Sequence, residues 1–254
     1  MKAIETNKLS FSVEDKFLLK NISMEIEKGK MIALIGPNGS GKSTLLKNIY
    51  RALSPTEGVI YIDGKEQGTF RNREMAMKMS VVSQEDIGTH FDFSVIEIVM
   101  TGRFAHKGLL DSHDDNDMEK ALQALNKVDM AAFYERSYLS LSGGEKQRVM
   151  IARAICQDAH IMVLDEPTNH LDIKHQLSII DYIRSLKITT FLAVHDINIA
   201  VNNCDALMIL KEGHLKYYGC PKKILTKEVL SEVFGVDAYI VENEESNRRN
   251  ILFY

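Results

Sequence analysis

Blocks of apolar and polar residues along the chain predict an α/β fold. Runs dominated by apolar residues at 31–35, 161–164 and 189–194 have the length and composition of strands buried in a parallel sheet. Alternation of apolar and polar residues over 22–26 predicts a strand with one exposed face. Between residues 173 and 187 apolar residues recur every three or four positions, which predicts a helix with one buried side.

The pattern changes twice along the chain. Residues 3–27 predict short strands around a turn, whereas the segment from 85 to 157 has mainly helical spacing. Strand and helix alternate again after it, and residues 206–217 predict a hairpin. Two short helices are expected near 221–234. The residues from 242 to 250 are polar, and we expect a mobile tail there.

Composition and charge exclude several classes of protein. The 254 residues carry a net charge of -4, which argues against non-specific nucleic-acid binding as the main activity. Residues 1–6 are charged where a signal peptide needs an apolar run, and no apolar stretch approaches the ~20 residues of a membrane span. Three cysteines, Cys156, Cys204 and Cys220, lack metal-site spacing and fit a reducing cytosol. Membrane association is therefore expected only through a partner protein.

A glycine-rich segment follows the apolar run at 31–35 and precedes a predicted helix. Its residues are Gly36, Pro37, Asn38, Gly39, Ser40, Gly41, Lys42, Ser43 and Thr44. Glycines let successive backbone N–H groups converge on a phosphate, and the start of the helix adds N–H donors and a positive dipole. Strand, loop and helix in this order are the context that makes the spacing a P-loop. A plain glycine-rich turn is the alternative, and it leaves the lysine and the hydroxyl unexplained.

Two side chains of this loop have specific tasks in phosphate chemistry. Lys42 is expected to reach the β- and γ-phosphates, and the Ser43 hydroxyl is expected to hold Mg²⁺. The sequence therefore predicts a nucleoside triphosphate with its magnesium ion at this loop.

A pair of glycines marks the start of another predicted helix, which runs to about Cys156. Ser142 and Glu145 have the spacing of a capping box. An ordinary helix start would not explain Gly143 and Gly144, because each glycine in a first turn costs up to ~1 kcal/mol relative to alanine. We expect a group such as a phosphate to approach the backbone there.

Ionisable residues follow two of the buried strands. Asp165 is expected to orient Mg²⁺, directly or through water, and Glu166 is placed to act on the attacking water as the general base. His195 follows the strand at 189–194 and is expected to contact the γ-phosphate. The competing interpretations are two carboxylates in a surface loop and a structural histidine, and the P-loop argues against both.

Taken in chain order, these motifs resemble the ATP-binding subunit of an ABC transporter. The P-loop, the signature pentapeptide at 141–145, the two carboxylates and the histidine occur in the order of that family. Gln84 matches the Q-loop glutamine of the family, and residues 169–172 match its D-loop. The resemblance covers residues 3 to about 241.

The resemblance implies a fold and domain boundaries. It implies an α/β P-loop NTPase core, in which a mixed sheet is flanked by helices, together with an antiparallel β subdomain and an inserted α-helical subdomain. We expect a single ABC ATPase domain over residues 1–241, with the helical subdomain at about 85–157. A polar C-terminal tail is expected at 242–254.

The resemblance also implies a head-to-tail homodimer with two ATP molecules sandwiched between the protomers. The residues of one protomer that would face the nucleotide and its Mg²⁺ are Lys42, Ser43, Gln84, Asp165, Glu166 and His195. Of these, Glu166, His195 and Gln84 would serve catalysis. The metal ion would be held by Ser43, Gln84 and Asp165. Ser142, Gly143 and Gly144 of the other protomer would close over the γ-phosphate.

Partners follow from the same resemblance. Gln84 would sense Mg²⁺ and link the core to the helical subdomain, whose surface would receive an integral membrane permease. Closure on ATP and opening after hydrolysis would be transmitted to the permease. The subunit would lie at the cytoplasmic face of the cell membrane as a peripheral protein, and it would bind no nucleic acid.

One position departs from the family pattern. Many relatives carry an aromatic residue that stacks on adenine at the place occupied here by Val13. Phe11 and Phe17 lie close by in the sequence and could substitute, or Val13 could pack on the base less strongly. How adenine is bound stays open at this point.

Three further segments resemble a subgroup of the family. Residues 101–104, and the segments 221–225 and 233–236, are similar to those of importers of iron–siderophore, haem and cobalamin. The alternative is that Gly102 merely ends a helix and Arg103 lies on the surface. We predict the import of a metal chelate, siderophore-bound iron first, with a substrate-binding protein as an indirect partner.

Several other functions are alternatives to the import of a metal chelate. A soluble ABC-type ATPase acting on DNA would carry long coiled coils between Lys42 and Ser142, where about a hundred residues lie here. Relatives acting on the ribosome usually have two such domains. A regulatory module without turnover would not need Glu166 and His195. Import of another small solute also remains an alternative.

Overall fold

The structure is a computed structural model of the chain. It describes residues 1–83, 92–108, 111–243 and 248–254. The chain separates into two compact units, which we describe one at a time. Unit 1 comprises Met1–Thr69 and Lys187–Tyr254, and unit 2 comprises Phe70–Leu186.

The elements are numbered in chain order through both units. The strands are β1 (Lys2–Val13), β2 (Lys16–Glu27), β3 (Met31–Ile35), β4 (Glu57–Ile62), β5 (Lys65–Glu66), β6 (Met79–Val82), β7 (Ile161–Asp165), β8 (Thr189–Ala193), β9 (Ala206–Lys211), β10 (His214–Gly219), β11 (Ala238–Asn243) and β12 (Arg248–Phe253). The α-helices are α1 (Lys42–Ile49), α2 (Asn72–Lys78), α3 (Val95–Met100), α4 (Asp115–Lys127), α5 (Gly143–Cys156), α6 (Ile173–Ser185), α7 (Ile197–Asn203), α8 (Pro221–Ile224) and α9 (Lys227–Phe234).

An antiparallel sheet in unit 1 has the order β2-β1-β4-β5. For residues 3–27 the sequence predicted short strands, whereas β1 and β2 are each 12 residues long. Glu14 and Asp15 both adopt positive φ, at 47° and 63°, as a tight hairpin turn requires. Register shifts along the β1–β2 pair interrupt the alternation of the side chains, so one long strand resembles several short ones in sequence.

A second sheet in unit 1 carries β3 at its centre, in the order β10-β9-β3-β8. β3 pairs in parallel with both β8 and β9. Every residue of β3 and β8 is buried, in agreement with the apolar runs in the sequence. Because parallel strands place their carboxyl ends at one edge, the segments that follow β3 and β8 emerge on the same side of the sheet.

The C-terminal residues form structure that the sequence did not predict. Strands β11 and β12 pair with each other, and β12 lies on α7. Asn198 bonds both backbone groups of Ile251, at 2.7 and 3.2 Å, and Asn202 does the same for Arg249, at 2.9 and 2.8 Å. Each amide side chain supplies a donor and an acceptor, as a neighbouring strand would. The expected mobile tail is therefore replaced by a docked hairpin over the described residues.

Unit 2 contains the parallel pair β6 and β7 together with helices α2 to α6. Helix α5 packs against α3 and α4, with Val149, Ile151 and Ala152 buried. The acidic residues at 111–117 precede and begin α4, and Asp114 is the N-cap of this helix. Among the described residues, none of the helices combines the length and the apolar character needed to cross a bilayer.

Candidate active site

The glycine-rich loop of unit 1 joins β3 to α1, as its spacing predicts. Helix α1 begins at Lys42, and its N-cap residue Gly41 has a φ of 103°. A Cβ atom built on Gly41 would lie 2.9 Å from the carbonyl oxygen of Leu18. Backbone conformation and close packing therefore both require glycine at this position.

The ammonium group of Lys42 lies over the loop. Its Nζ atom donates to the carbonyl oxygens of Gly36, at 2.8 Å, and Pro37, at 3.2 Å, and the residue is only 6% exposed. The Oγ atom of Ser40 is buried and has no hydrogen-bond partner among the described residues. A buried cation beside an unsatisfied hydroxyl, at the start of a helix, suits a bound phosphate group.

The remaining residues of the loop differ in exposure. Asn38 and Gly39 are exposed at its tip, and a Cβ atom on Gly39 would meet nothing within 4 Å. Ser43 and Thr44 lie in the first turn of α1 and are partly exposed. Their hydroxyl groups therefore stand at the end of the helix where the loop lies.

His195 and Val13 are both exposed in unit 1. His195 lies just after β8, and the next residue, Asp196, is the N-cap of α7. Val13 ends β1 at the hairpin turn and is 50% exposed, and Phe17 at the start of β2 is 42% exposed. Phe11 is less exposed than either, so Val13 and Phe17 are the candidates that offer apolar surface.

In unit 2, the predicted capping box at the start of α5 is confirmed. Ser142 is the N-cap residue, and its Oγ atom accepts from the backbone N–H of Glu145 at 3.4 Å. The carboxylate of Glu145 accepts from the N–H and the Oγ of Ser142, at 2.8 and 2.7 Å. These hydrogen bonds lower the pKa of Glu145, so the box keeps its carboxylate ionised.

The two glycines of α5 are not equivalent. A Cβ atom on Gly144 would lie 2.7 Å from the carbonyl oxygen of His170, whereas a Cβ atom on Gly143 would have no neighbour nearer than 4.0 Å. From the sequence, the approach of a phosphate was expected to explain both glycines. Packing inside unit 2 already accounts for Gly144, and only Gly143 keeps an open side.

The two carboxylates at the end of β7 are buried and adjacent. Asp165 is the last residue of β7 and is 2% exposed, and Glu166 is 6% exposed. Glu166 has a φ of 56°, a left-handed conformation that costs a non-glycine residue ~1–3 kcal/mol. Its carboxylate accepts a hydrogen bond from the side-chain amide of Asn169. Burial, strain and this bond together fix the direction of the Glu166 side chain.

Residues 169–172, which resemble a D-loop in sequence, also orient the Glu166 side chain, and no sequence pattern indicated this. Besides the bond from Asn169, the backbone of His170 also has positive φ, at 63°. Strained residues cluster at functional sites, and here two of them lie within five positions. Gln84 lies outside the described residues. Among the residues that are described, no group of three or more His, Cys, Asp or Glu side chains could hold a metal ion.

A family model described as ABC transporter matches residues 19–169, more than half of the chain. The petrobactin import ATP-binding protein FpuC of Bacillus anthracis is 36% identical over 249 residues, covering 95% of this chain and 90% of that protein. The iron(3+)-hydroxamate import ATP-binding protein FhuC of Bacillus subtilis is 33% identical over 258 residues, covering 100% and 96%.

Solved structures give the same result. A transporter assigned to the metal-chelate type, in an inward-facing conformation, superposes with a TM-score of 0.84 at 27% identity, covering 100% of this chain and 97% of that one. The ATP-binding cassette MJ0796, a dimer with ADP and phosphate bound, has a TM-score of 0.76 at 27% identity, covering 86% and 98%. The predicted P-loop ATPase fold is confirmed, and the chain belongs to the ABC transporter family as one of its ATP-binding, ATP-hydrolysing subunits.

Proposed function

We propose that this subunit drives the import of a metal chelate, with siderophore-bound iron as the first candidate. The observation that carries the proposal is similarity over nearly the full chain to import subunits named for petrobactin and iron-hydroxamate. The Gly102–Arg103 segment, which resembles importers of this group, supports it. Haem and cobalamin are the next candidates.

ATP would be bound through the P-loop, from Gly36 to Thr44. Lys42, whose Nζ atom donates to the carbonyl oxygens of Gly36 and Pro37, would turn to the β- and γ-phosphates, because a hydrogen bond between two charged groups is stronger than one to a neutral carbonyl. Mg²⁺ would be held by Ser43 and Asp165, with Gln84 as a further ligand. The ion would supply positive charge that stabilises the transferring phosphoryl group.

Hydrolysis would use the carboxylate of Glu166 as the general base. The amide of Asn169 donates to this carboxylate and orients it, and the carboxylate would accept a proton from the attacking water. His195, exposed after β8, would contact the γ-phosphate and stabilise the charge that develops there.

The active form would be a homodimer, in which Ser142, Gly143 and Gly144 of one protomer close over the nucleotide of the other. Two observations support this arrangement. Ser142 and Gly143 are exposed at the start of α5, where backbone N–H groups point out of the helix. The similar cassette MJ0796 is dimeric with hydrolysis products bound.

In the cell, the dimer would work at the cytoplasmic face of the membrane on two integral membrane permease subunits. A substrate-binding protein on the other side of the membrane would deliver the chelate. The net charge of -4 and the similarity to import subunits both disfavour nucleic acid as a partner.

The test begins with a tagged subunit, isolated from membranes in mild detergent after cross-linking. We expect a polytopic membrane protein and a substrate-binding protein to copurify. The reconstituted complex should then take up a ferric siderophore in an ATP-dependent manner and prefer it to haem, cobalamin and an uncharged solute. Copurification of ribosomes or DNA without a membrane protein would overturn the proposal, and uptake of another solute would overturn its cargo.

A further inference from the structure

Three side chains in unit 2 form a chain that joins α5 to α6. Arg148 lies in the second turn of α5, His175 lies in the first turn of α6, and Asp172 is the N-cap of α6. The Nη1 atom of Arg148 lies 3.1 Å from Nε2 of His175. Nδ1 of the same imidazole lies 2.8 and 2.9 Å from the two carboxylate oxygens of Asp172.

The partners of His175 determine its tautomer. A guanidinium group only donates and an ionised carboxylate only accepts, so Nδ1 carries the proton and Nε2 accepts from Arg148. Asp172 also accepts from the backbone N–H of His175 at 2.9 Å, and this bond, with that from the imidazole, lowers the pKa of Asp172. The neutral imidazole is therefore oriented from both sides.

Arg148 also contacts the backbone that follows α4. Its Nη1 atom also lies 3.2 Å from the carbonyl oxygen of Val128 and 3.3 Å from that of Asp129, beyond the end of α4. His175 is thus the only hydrogen-bond partner of Arg148 on the α6 side among the residues that the structure describes. Loss of the imidazole would leave the guanidinium attached to the α4 end alone.

Two other contacts join the start of α5 to the loop at residues 166–172. The Nε2 atom of Gln147 donates to the carbonyl oxygen of Pro167 at 3.2 Å, and Gly144 packs against the carbonyl oxygen of His170. The loop is attached to α6 as well, because Gln176 donates to the carbonyl oxygens of Thr168 and Leu171. The first two turns of α5 are therefore bound to the loop and to α6 at three successive places.

We propose that His175 is a positioning residue for ATP hydrolysis. Acting through Arg148, it sets the direction of α5 and so the place that Ser142 and Gly143 take over the nucleotide of the other protomer. The proposal rests on the dimer of the proposed function. A purely local role, as a second partner for the Asp172 cap, is the alternative that the experiment must separate.

A pair of amide substitutions makes this separation. In His175→Gln the side-chain amide lies where Nε2 was and still accepts from Arg148. In His175→Asn it lies where Nδ1 was and binds only Asp172. We expect kcat of the permease complex to fall about tenfold in His175→Asn and no more than about threefold in His175→Gln, with KM for ATP unchanged in both. Lys120→Ala, which removes an exposed ion pair with Asp158, is the control for a change elsewhere in unit 2.

Mixed dimers show in which nucleotide site the residue acts. One protomer carries Lys42→Ala, so the only intact nucleotide site belongs to the other protomer and faces the α5 of the Lys42→Ala chain. His175→Asn placed in the Lys42→Ala chain should lower hydrolysis, whereas His175→Asn placed in the other chain should leave it near the level of the parent mixed dimer. Where the parent mixed dimer turns over too slowly, retention of labelled ATP after gel filtration is measured instead, with the same expected order.

Each outcome decides the matter. Equal loss in His175→Asn and His175→Gln, or equal loss in the two mixed dimers, would mean that His175 only stabilises unit 2 and would overturn the inference. Thermal denaturation of His175→Asn and of His175→Gln should give the same midpoint temperature. A wild-type subunit that neither dimerises with ATP nor hydrolyses it with its permease would instead contradict the proposed function.

Discussion

Glu166 combines burial, backbone strain and a side-chain hydrogen bond from Asn169. Its φ of 56° is maintained although it disfavours folding, and the amide of Asn169 binds its carboxylate. A residue that needed only to be a surface carboxylate would not require any of the three. The role of Glu166 as the general base stays a prediction, and it is tested at the scale of this single residue.

Substitution of Glu166 by Gln should abolish hydrolysis and leave ATP binding intact, because the amide cannot take a proton from water. We expect kcat of the complex to fall at least ~10²-fold, with equilibrium binding of a fluorescent ATP analogue unchanged. Asn169→Ala should lower kcat less, about tenfold, because the carboxylate remains but loses its orientation. Normal turnover by Glu166→Gln would show that the base is another group.

At the scale of an element, the residues at the start of helix α5 are determined partly by local hydrogen bonds and partly by a distant contact. Ser142 and Glu145 satisfy the N–H groups of the first turn, and this was readable from their spacing. Gly144 is required by the carbonyl oxygen of His170, which lies 26 positions further along the chain. A contact of that kind leaves no periodic signal in the sequence.

Alanine substitutions at the two glycines should therefore separate folding from activity. Gly144→Ala forces a Cβ atom to within 2.7 Å of a backbone oxygen, and we expect it to destabilise the subunit by about 1–3 kcal/mol. Gly143→Ala meets no neighbour and should fold at least as well as the wild type, yet lose ATP hydrolysis in the permease complex. Denaturant unfolding and the ATPase assay of both variants make the comparison. Equal stability of the two would contradict the packing argument.

The Gly102–Arg103 segment, predicted to be either a subgroup feature or a surface position, lies in a buried cluster. Arg103 is 5% exposed and donates to Asp117 at 3.0 Å and to the carbonyl oxygen of Cys156 at 2.9 Å. A Cβ atom on Gly102 would lie 2.4 Å from the carbonyl oxygen of Arg153. The segment thus connects the first turn of α4 to the last turn of α5.

Asp117→Asn should destabilise the subunit at neutral pH by about 3 kcal/mol, because Arg103 is left buried without its counter-charge. Burial raises the pKa of Asp117, but hydrogen bonds from Lys107 and Arg103 outweigh it and hold that pKa well below its usual range. The ion pairs of Asp117 therefore contribute fully to the free energy of unfolding above about pH 4. This contribution is lost as the pH falls further. The difference in unfolding free energy between wild type and variant should narrow in acid. A constant difference across pH would show that Asp117 is not the ionised partner.

At the scale of the whole molecule, the residues named in the proposed mechanism belong to both units of the chain. The P-loop and His195 belong to unit 1, whereas Asp165, Glu166 and the start of α5 belong to unit 2. In the proposed mechanism, the exposed residues at the start of α5 contact the nucleotide of the other protomer and have no role at the nucleotide of their own. Hydrolysis should therefore depend on dimer formation.

The dimer can be tested directly with Glu166→Gln, in which bound ATP should persist. We expect this variant to elute as a dimer with ATP and Mg²⁺ and as a monomer without them, in size-exclusion chromatography with light scattering. Adding Ser142→Arg, which places a large cation at the exposed start of α5, should restore the monomer. A double variant that still dimerises with ATP would contradict the proposed closure by Ser142 and Gly143.

The sequence by itself determined the family, the P-loop, the carboxylates at the end of β7 and the capping box of α5. These features depend on residue types at short, fixed spacings, and local backbone geometry translates such spacings directly into structure. The long hairpin of β1 and β2, the docked C-terminal hairpin and the burial of Arg103 were decided only by tertiary structure. So were the reason for Gly144 and the link from Arg148 through His175 to Asp172. Each depends on hydrogen bonds or close contacts between elements, whose partners a linear pattern does not name.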